Sequence, residues 1–98
     1  MQILFRPEAR AEALEAQSWY ESRSPGLGFE FVRSIEAALE AAARNPEAFT
    51  LVEGLLRRVI LRRFPYSLIF RAQPKYLLVV AIFHHRRKPR SWVSRVGG

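Results

Sequence analysis

The side chains able to do chemistry crowd into the second half of this chain. Three basic groups stand there: Arg57, Arg58, Arg62 and Arg63; then Arg71 with Lys75; then Arg86, Arg87, Lys88, Arg90 and Arg95. Arginine forks pair in two-pronged fashion with phosphate or carboxylate. Set beside aromatics such as Tyr66 and Trp92, they would also suit nucleic acid. An acidic protein partner fits the same charge, and solvated strand ends account for it without any ligand. His84-His85 adds a general base or a metal ligand to the choices. Neighbouring strand residues point to opposite sides, which works against both rings holding one metal. The chain has no other His and no Cys to complete such a site. No metal and no cofactor are therefore expected, and one His is read as a hydrogen-bonding partner near the tail. Phe64-Pro65-Tyr66 reads as a tight or bulged strand connection with Phe64 in the core. Trp19 and Trp92 read as core caps, Trp92 folding the tail back onto the sheet. The Glu residues of the first half fall mainly on outward helical positions, which argues against a catalytic carboxylate pair.

Composition narrows the classes further. The chain has 98 residues and a formal net charge of +7. Residues 1–50 hold five basic and eight acidic groups, net −3, and residues 51–98 hold eleven and one, net +10. All nine acids are Glu. Absence of Asp removes Asp-held Mg²⁺ sites and aspartyl nucleophiles; absence of Cys removes disulfides, Cys zinc sites and thiol nucleophiles. A hydrophobic share of 49% argues against disorder. No 18-residue apolar run is present, so no membrane span is expected. Met1 to Arg6 lacks the features of a secretory signal, and a cytoplasmic location is the expectation. One domain over residues 1–98 is expected, with 86–98 as a basic C-terminal tail.

Periodicity supplies the elements that must position these groups. Residues 2–6 read as a short strand before Pro7. Residues 8–22, rich in Ala and Glu, read as a helix with Ala11, Leu14 and Ser18 on its packing stripe. Ser24 is placed to cap a second helix with Pro25 in its first turn. Phe31 or Val32, Ile35, Leu39 and Ala42 then recur at helical spacing to about residue 44. The period changes over residues 57–63, 66–71 and 76–83, read as three strands with a turn at 73–75. The expected fold is α+β, in the order β-α-α-β-β-β. An antiparallel sheet is packed on one face by a helical hairpin.

Five segments in order carry a family resemblance: Phe5-Arg6-Pro7-Glu8-Ala9; Asn45-Pro46; Arg62-Arg63-Phe64-Pro65-Tyr66; Leu78-Val79-Val80-Ala81-Ile82-Phe83-His84; and Arg87-Lys88-Pro89-Arg90-Ser91-Trp92. Together they resemble the ParE-type branch of the RelE/ParE toxin superfamily, also known as plasmid stabilisation proteins, over about residues 2–95. The resemblance implies the toxin of a type II toxin-antitoxin system, neutralised by a small, partly disordered, DNA-binding cognate antitoxin. ParE-like members poison DNA gyrase by protein contact. RelE-like members cut messenger RNA on the ribosome, using basic sheet residues and often a C-terminal Tyr. Here Trp92 takes the aromatic place and no Tyr follows Tyr76, which favours the gyrase branch. On the ribonuclease alternative the resemblance would employ Arg58, Arg62, Arg71, His84 and Arg87. For target or antitoxin contact it implies Arg57, Arg62, Arg63, Tyr66, Arg71, Arg86, Arg87, Arg90 and Trp92. An inactive homologue acting only as a binding module is the third alternative.

Overall fold

The computed structural model describes residues 1–86 and 92–96. Strand β1 (Gln2–Phe5) leads into helix α1 (Pro7–Arg23) and helix α2 (Leu27–Arg44). A 3₁₀ turn at Pro46–Ala48 precedes β2 (Thr50–Glu53), β3 (Leu56–Ile60), β4 (Tyr66–Ala72) and β5 (Tyr76–His84), and a second 3₁₀ turn covers Val93–Val96. The α+β reading holds, with the helical hairpin laid on the sheet.

Pro7 opens α1 at a position where its missing N–H is harmless. Ala9 and Ala16 are the residues α1 buries, and Ala13 and Tyr20 join them partly. The stripe of Ala11, Leu14 and Ser18 instead faces solvent, with Leu14 well exposed. The inward face is thus turned away from the expected one, because Tyr20 rather than Leu14 supplies the bulk. Small inward residues let α2 approach closely. A Cβ on Gly28 would lie 2.7 Å from the Gln17 carbonyl oxygen, so only glycine fits. The second helix buries Phe31, Ile35, Ala38, Leu39 and Ala42.

The start of α2 also departs from expectation. Ser24 does not cap it, and Pro25 lies outside it. The helix begins at Leu27 after Gly26, whose φ of 90° needs glycine. Glu21 of α1 provides the cap. Its carboxylate accepts N–H bonds from Gly26 at 3.0 Å and Gly28 at 3.0 Å.

The sheet has five strands in the order β1-β5-β4-β3-β2. Two details extend the sequence reading. Strand β2 is added at one edge, and β1 pairs with β5 in parallel, from Gln2 with Tyr76 to Phe5 with Val79. The helical crossover after β1 is what permits a parallel neighbour. The other pairings are antiparallel. Between β4 and β5, Ile69 faces Ala81 while Phe70 faces Val79, so Val80 is an extra residue, a β-bulge. The bulge sets Val79 and Ile82 toward the helices and Val80 and Ala81 into the opposite cluster.

Two apolar clusters result. Phe31, Leu68, Phe70, Leu77, Val79 and Ile82 fill the space between helices and sheet. Leu56, Ile69, Val80, Ala81, Phe83 and Trp92 form a second cluster on the outer face. Each fully buried large side chain contributes about 1.5–3 kcal/mol.

Candidate functional site

The basic residues separate onto different surfaces. Arg58 is exposed on β3 and pairs across to Ile69, so it belongs to the outer face. Arg71 lies two residues beyond Ile69 on β4, on the same side, half-buried opposite Leu78. Its Nε is buried and finds no hydrogen-bond partner among the described residues. Ile60 stands beside Arg58 on that face, 54% exposed.

Arg57 points the other way, and its Nη1 donates to the Phe49 carbonyl at 2.7 Å. It therefore holds the entry to β2. Arg62 and Arg63 lie in the connection from β3 to β4, over α2. The Ser34 hydroxyl donates to the Arg62 carbonyl at 3.1 Å. Arg63 adopts φ of 69° and pairs with Glu30 at 2.7 Å. A groove of about 780 Å³ runs between α2 and β3, lined by Phe29, Arg33, Ala37, Ala41, Arg44, Phe49, Ile60, Arg62 and Arg63. Phe29 is 61% exposed there, with the Arg33 guanidinium 5.7 Å from its ring centre. The groove has an apolar floor and four arginines against one glutamate. Such a lining is complementary in charge to acidic groups and in polarity to apolar ones.

Tyr66 and His84 fall on the helix side of the sheet, with ring centres 5.2 Å apart. Both line a second groove of about 770 Å³ between α1 and β5, with Glu12, Glu15, Trp19, Tyr20 and Pro65. The ring of Tyr66 is itself buried in an aromatic cluster with Phe31 and Tyr20. The His84 Nδ1 accepts the Arg86 N–H at 3.0 Å. His85 points to the opposite side and its Nε2 is 2.9 Å from the Ser67 hydroxyl, which is fully buried. The two histidines thus diverge, as strand geometry requires, and each has a structural partner. Arg86 is exposed. Arg87 and Arg90 lie outside the described residues. Trp92 is 3% exposed and stacks on Phe83, so this aromatic serves packing.

Glu12 is the residue that sequence reasoning missed. It sits three residues after Ala9 and four before Ala16, on the buried stripe of α1, and a charge on such a stripe was the available signal. Its Oε1 accepts the Ile82 N–H at 3.0 Å, and its two oxygens hold both terminal nitrogens of Arg95 at 2.9 Å. The hydrogen bond that Arg95 donates to Glu12 raises the Arg95 pKa above its ordinary value, against the opposing effect of burial. Glu8, in the first turn of α1, is held below the ordinary carboxylate range by a backbone N–H and by Arg6 at 3.3 Å.

Among the described residues, those of the ribonuclease alternative are therefore not brought together. Arg58 and Arg71 occupy the outer face, His84 the helix side, and Arg62 the connection over α2. Among the described residues no group of three metal-ligating side chains occurs, and no helix is long and apolar enough to cross a membrane.

Comparison with known proteins agrees with the fold. Residues 3–89 match the family described as ParE toxin of type II toxin-antitoxin system, parDE. A solved chain from the chromosomal ParDE toxin-antitoxin system of P. aeruginosa is similar, with a TM-score of 0.72 and 18% identity. The match covers 86% of this chain and 95% of that one. No significant match is found among curated proteins.

Proposed function

Since the chain belongs to the family of ParE toxins of type II toxin-antitoxin systems, we propose that it acts in the cytoplasm by binding DNA gyrase. A cognate antitoxin neutralises it. The observation that carries the gyrase reading over RNA cleavage is that His84 lies across the sheet from Arg58 and Arg71, while His85, on their side, is engaged with the buried Ser67 hydroxyl. Phosphate stabilisation and proton transfer must meet at one bond in a ribonuclease. Contact with a protein makes no such demand. On this reading the whole chain acts as one domain. Arg58 and Arg71 provide the target face. The groove holding Phe29, Arg33, Arg62 and Arg63 provides the antitoxin face, a sensible match for an acidic segment that orders on binding.

Purified protein is added to gyrase and relaxed plasmid, and in parallel to ribosomes programmed with messenger RNA. Inhibited supercoiling with intact message supports the proposal. Normal supercoiling at saturating protein, or message cut on the ribosome, overturns it. Arg58→Glu with Arg71→Glu should weaken gyrase inhibition about tenfold or more, each tenfold being about 1.4 kcal/mol. Arg33→Glu with Arg62→Glu should leave supercoiling inhibition intact and weaken antitoxin binding, read by calorimetric titration.

A further inference from the structure

Strand β5 loses its neighbour halfway along. Its pairing with β1 ends at Phe5 and Val79, after which the Arg6 N–H still reaches the Val79 carbonyl at 2.9 Å. Pro7 then starts α1 and the chain leaves the sheet. Two backbone groups of β5 beyond that point, the Val80 carbonyl and the Ile82 N–H, need partners that no strand supplies. Side chains take the place of the strand. Arg95 Nη1 donates to the Val80 carbonyl at 3.1 Å, and Glu12 Oε1 accepts from Ile82 at 3.0 Å. The same carboxylate and guanidinium grip each other through two bonds of 2.9 Å. Both are partly screened from water, with side chains 17% exposed for Arg95 and 27% for Glu12.

We propose that the Glu12–Arg95 pair is a releasable latch. It closes the open edge of β5 and holds the C-terminal turn, Trp92 included, as a strap over the outer face. The turn has two anchors. Trp92 rests on Phe83 in the outer cluster, and Arg95 is tied to α1. Trp92 contributes apolar contact only, because its Nε1 is buried without a hydrogen-bond partner among the described residues. The directional hold comes from the ion pair, whose charge-assisted bonds are stronger than neutral ones. Loss of either charge leaves a buried group poorly satisfied and frees the turn, while β3, β4 and the helix-side core remain in place. Release uncovers both the edge groups of β5 and the Phe83 ring. The inference is independent of the target, since it concerns only how the Trp92–Arg95 turn is held.

Amide hydrogen exchange of the full chain tests it, comparing wild type with Glu12→Gln, Arg95→Gln and the double variant. Gln at position 12 still accepts from Ile82, so that variant isolates the charge. The expected result is about tenfold faster exchange across Trp92–Val96 in each single variant, with Leu68 and Phe70 unchanged. The double variant should add nothing further, as befits one shared interaction. Unchanged exchange in the turn would overturn the latch, because Trp92 packing alone would then hold it. Equal acceleration of Leu68, Phe70 and the turn would overturn it too, since the pair would be an undivided part of global stability. Additive effects in the double variant would show two separate contacts and remove it as well.

Discussion

At the scale of single residues, carboxylates rather than hydroxyls fix the junctions. Glu21 reaches forward from α1 to the exposed N–H groups at the start of α2. Glu21→Ala should lower stability by about 1–2 kcal/mol in urea unfolding, whereas Ser24→Ala should stay within about 0.5 kcal/mol. The sequence offered Ser24 for that role, because Ser before Pro is the common capping pattern. Gly26 in a left-handed conformation turns the N–H groups back toward α1, and no local pattern announces that. Glu12 escaped notice for a similar reason: its partners lie on β5 and on the C-terminal turn, far along the chain. Tyr20 gives a pH-dependent prediction. Burial among Phe31, Phe64 and Tyr66 raises its pKa above the ordinary 10.0. In the pH range between the ordinary and the raised value, the unfolded chain has released the proton and the folded chain retains it. Its contribution is therefore complete below pH 10.0 and is lost as pH climbs through that range. Tyr20→Phe should flatten the alkaline decline, measured by thermal unfolding at increasing pH.

Among the elements, the two central strands were the most legible. Residues 66–71 and 76–83 are long apolar runs, and such runs suit strands covered on both faces. They are β4 and β5, and they sit inside the sheet. Strand β2 escaped because it has four residues, none of them fully buried, at the edge, with Gly54 closing the turn to β3. The parallel sense of β1 escaped because side-chain alternation is the same in either direction. Residues 57–63 read as one strand because uninterrupted alternation was carried past Ile60. The chain instead leaves the sheet there, and the 61–65 connection swings Arg62 and Arg63 over α2. Helix α1 could not be oriented from its large residues, since Leu14 and Trp19 face outward. Its inward face is set by what α2 tolerates. Gly28→Ala should cost about 1–3 kcal/mol, because the new Cβ must push the Gln17 carbonyl away. Differential scanning calorimetry would show the lower midpoint with the fold retained.

For the molecule as a whole, arginines among the described residues mark two basic surfaces on opposite sides of one sheet. Arg58 and Arg71 mark the outer one; Arg33, Arg44, Arg62 and Arg63 mark the groove beside α2. A protein with two such surfaces can meet two partners without either displacing the other by direct overlap. In the proposed antitoxin contact the arginines act mainly on encounter and Phe29 on retention. Raising salt from about 0.05 to 0.3 M should slow association severalfold in stopped-flow measurements. Phe29→Ala should instead hasten dissociation with little change in the association rate. The strand order has a further meaning in time rather than space. Gln2 leaves the ribosome well ahead of Tyr76, its backbone partner, and β4 must also wait for β5 to gain its second neighbour. Most of the chain must exist before the sheet can close, and contacts this distant in sequence form slowly. Nascent chains ending before Tyr76 should be cut readily by a protease that spares the finished protein. In the proposed contacts, a partner already present when β5 is made can meet the groove and the outer face as they form.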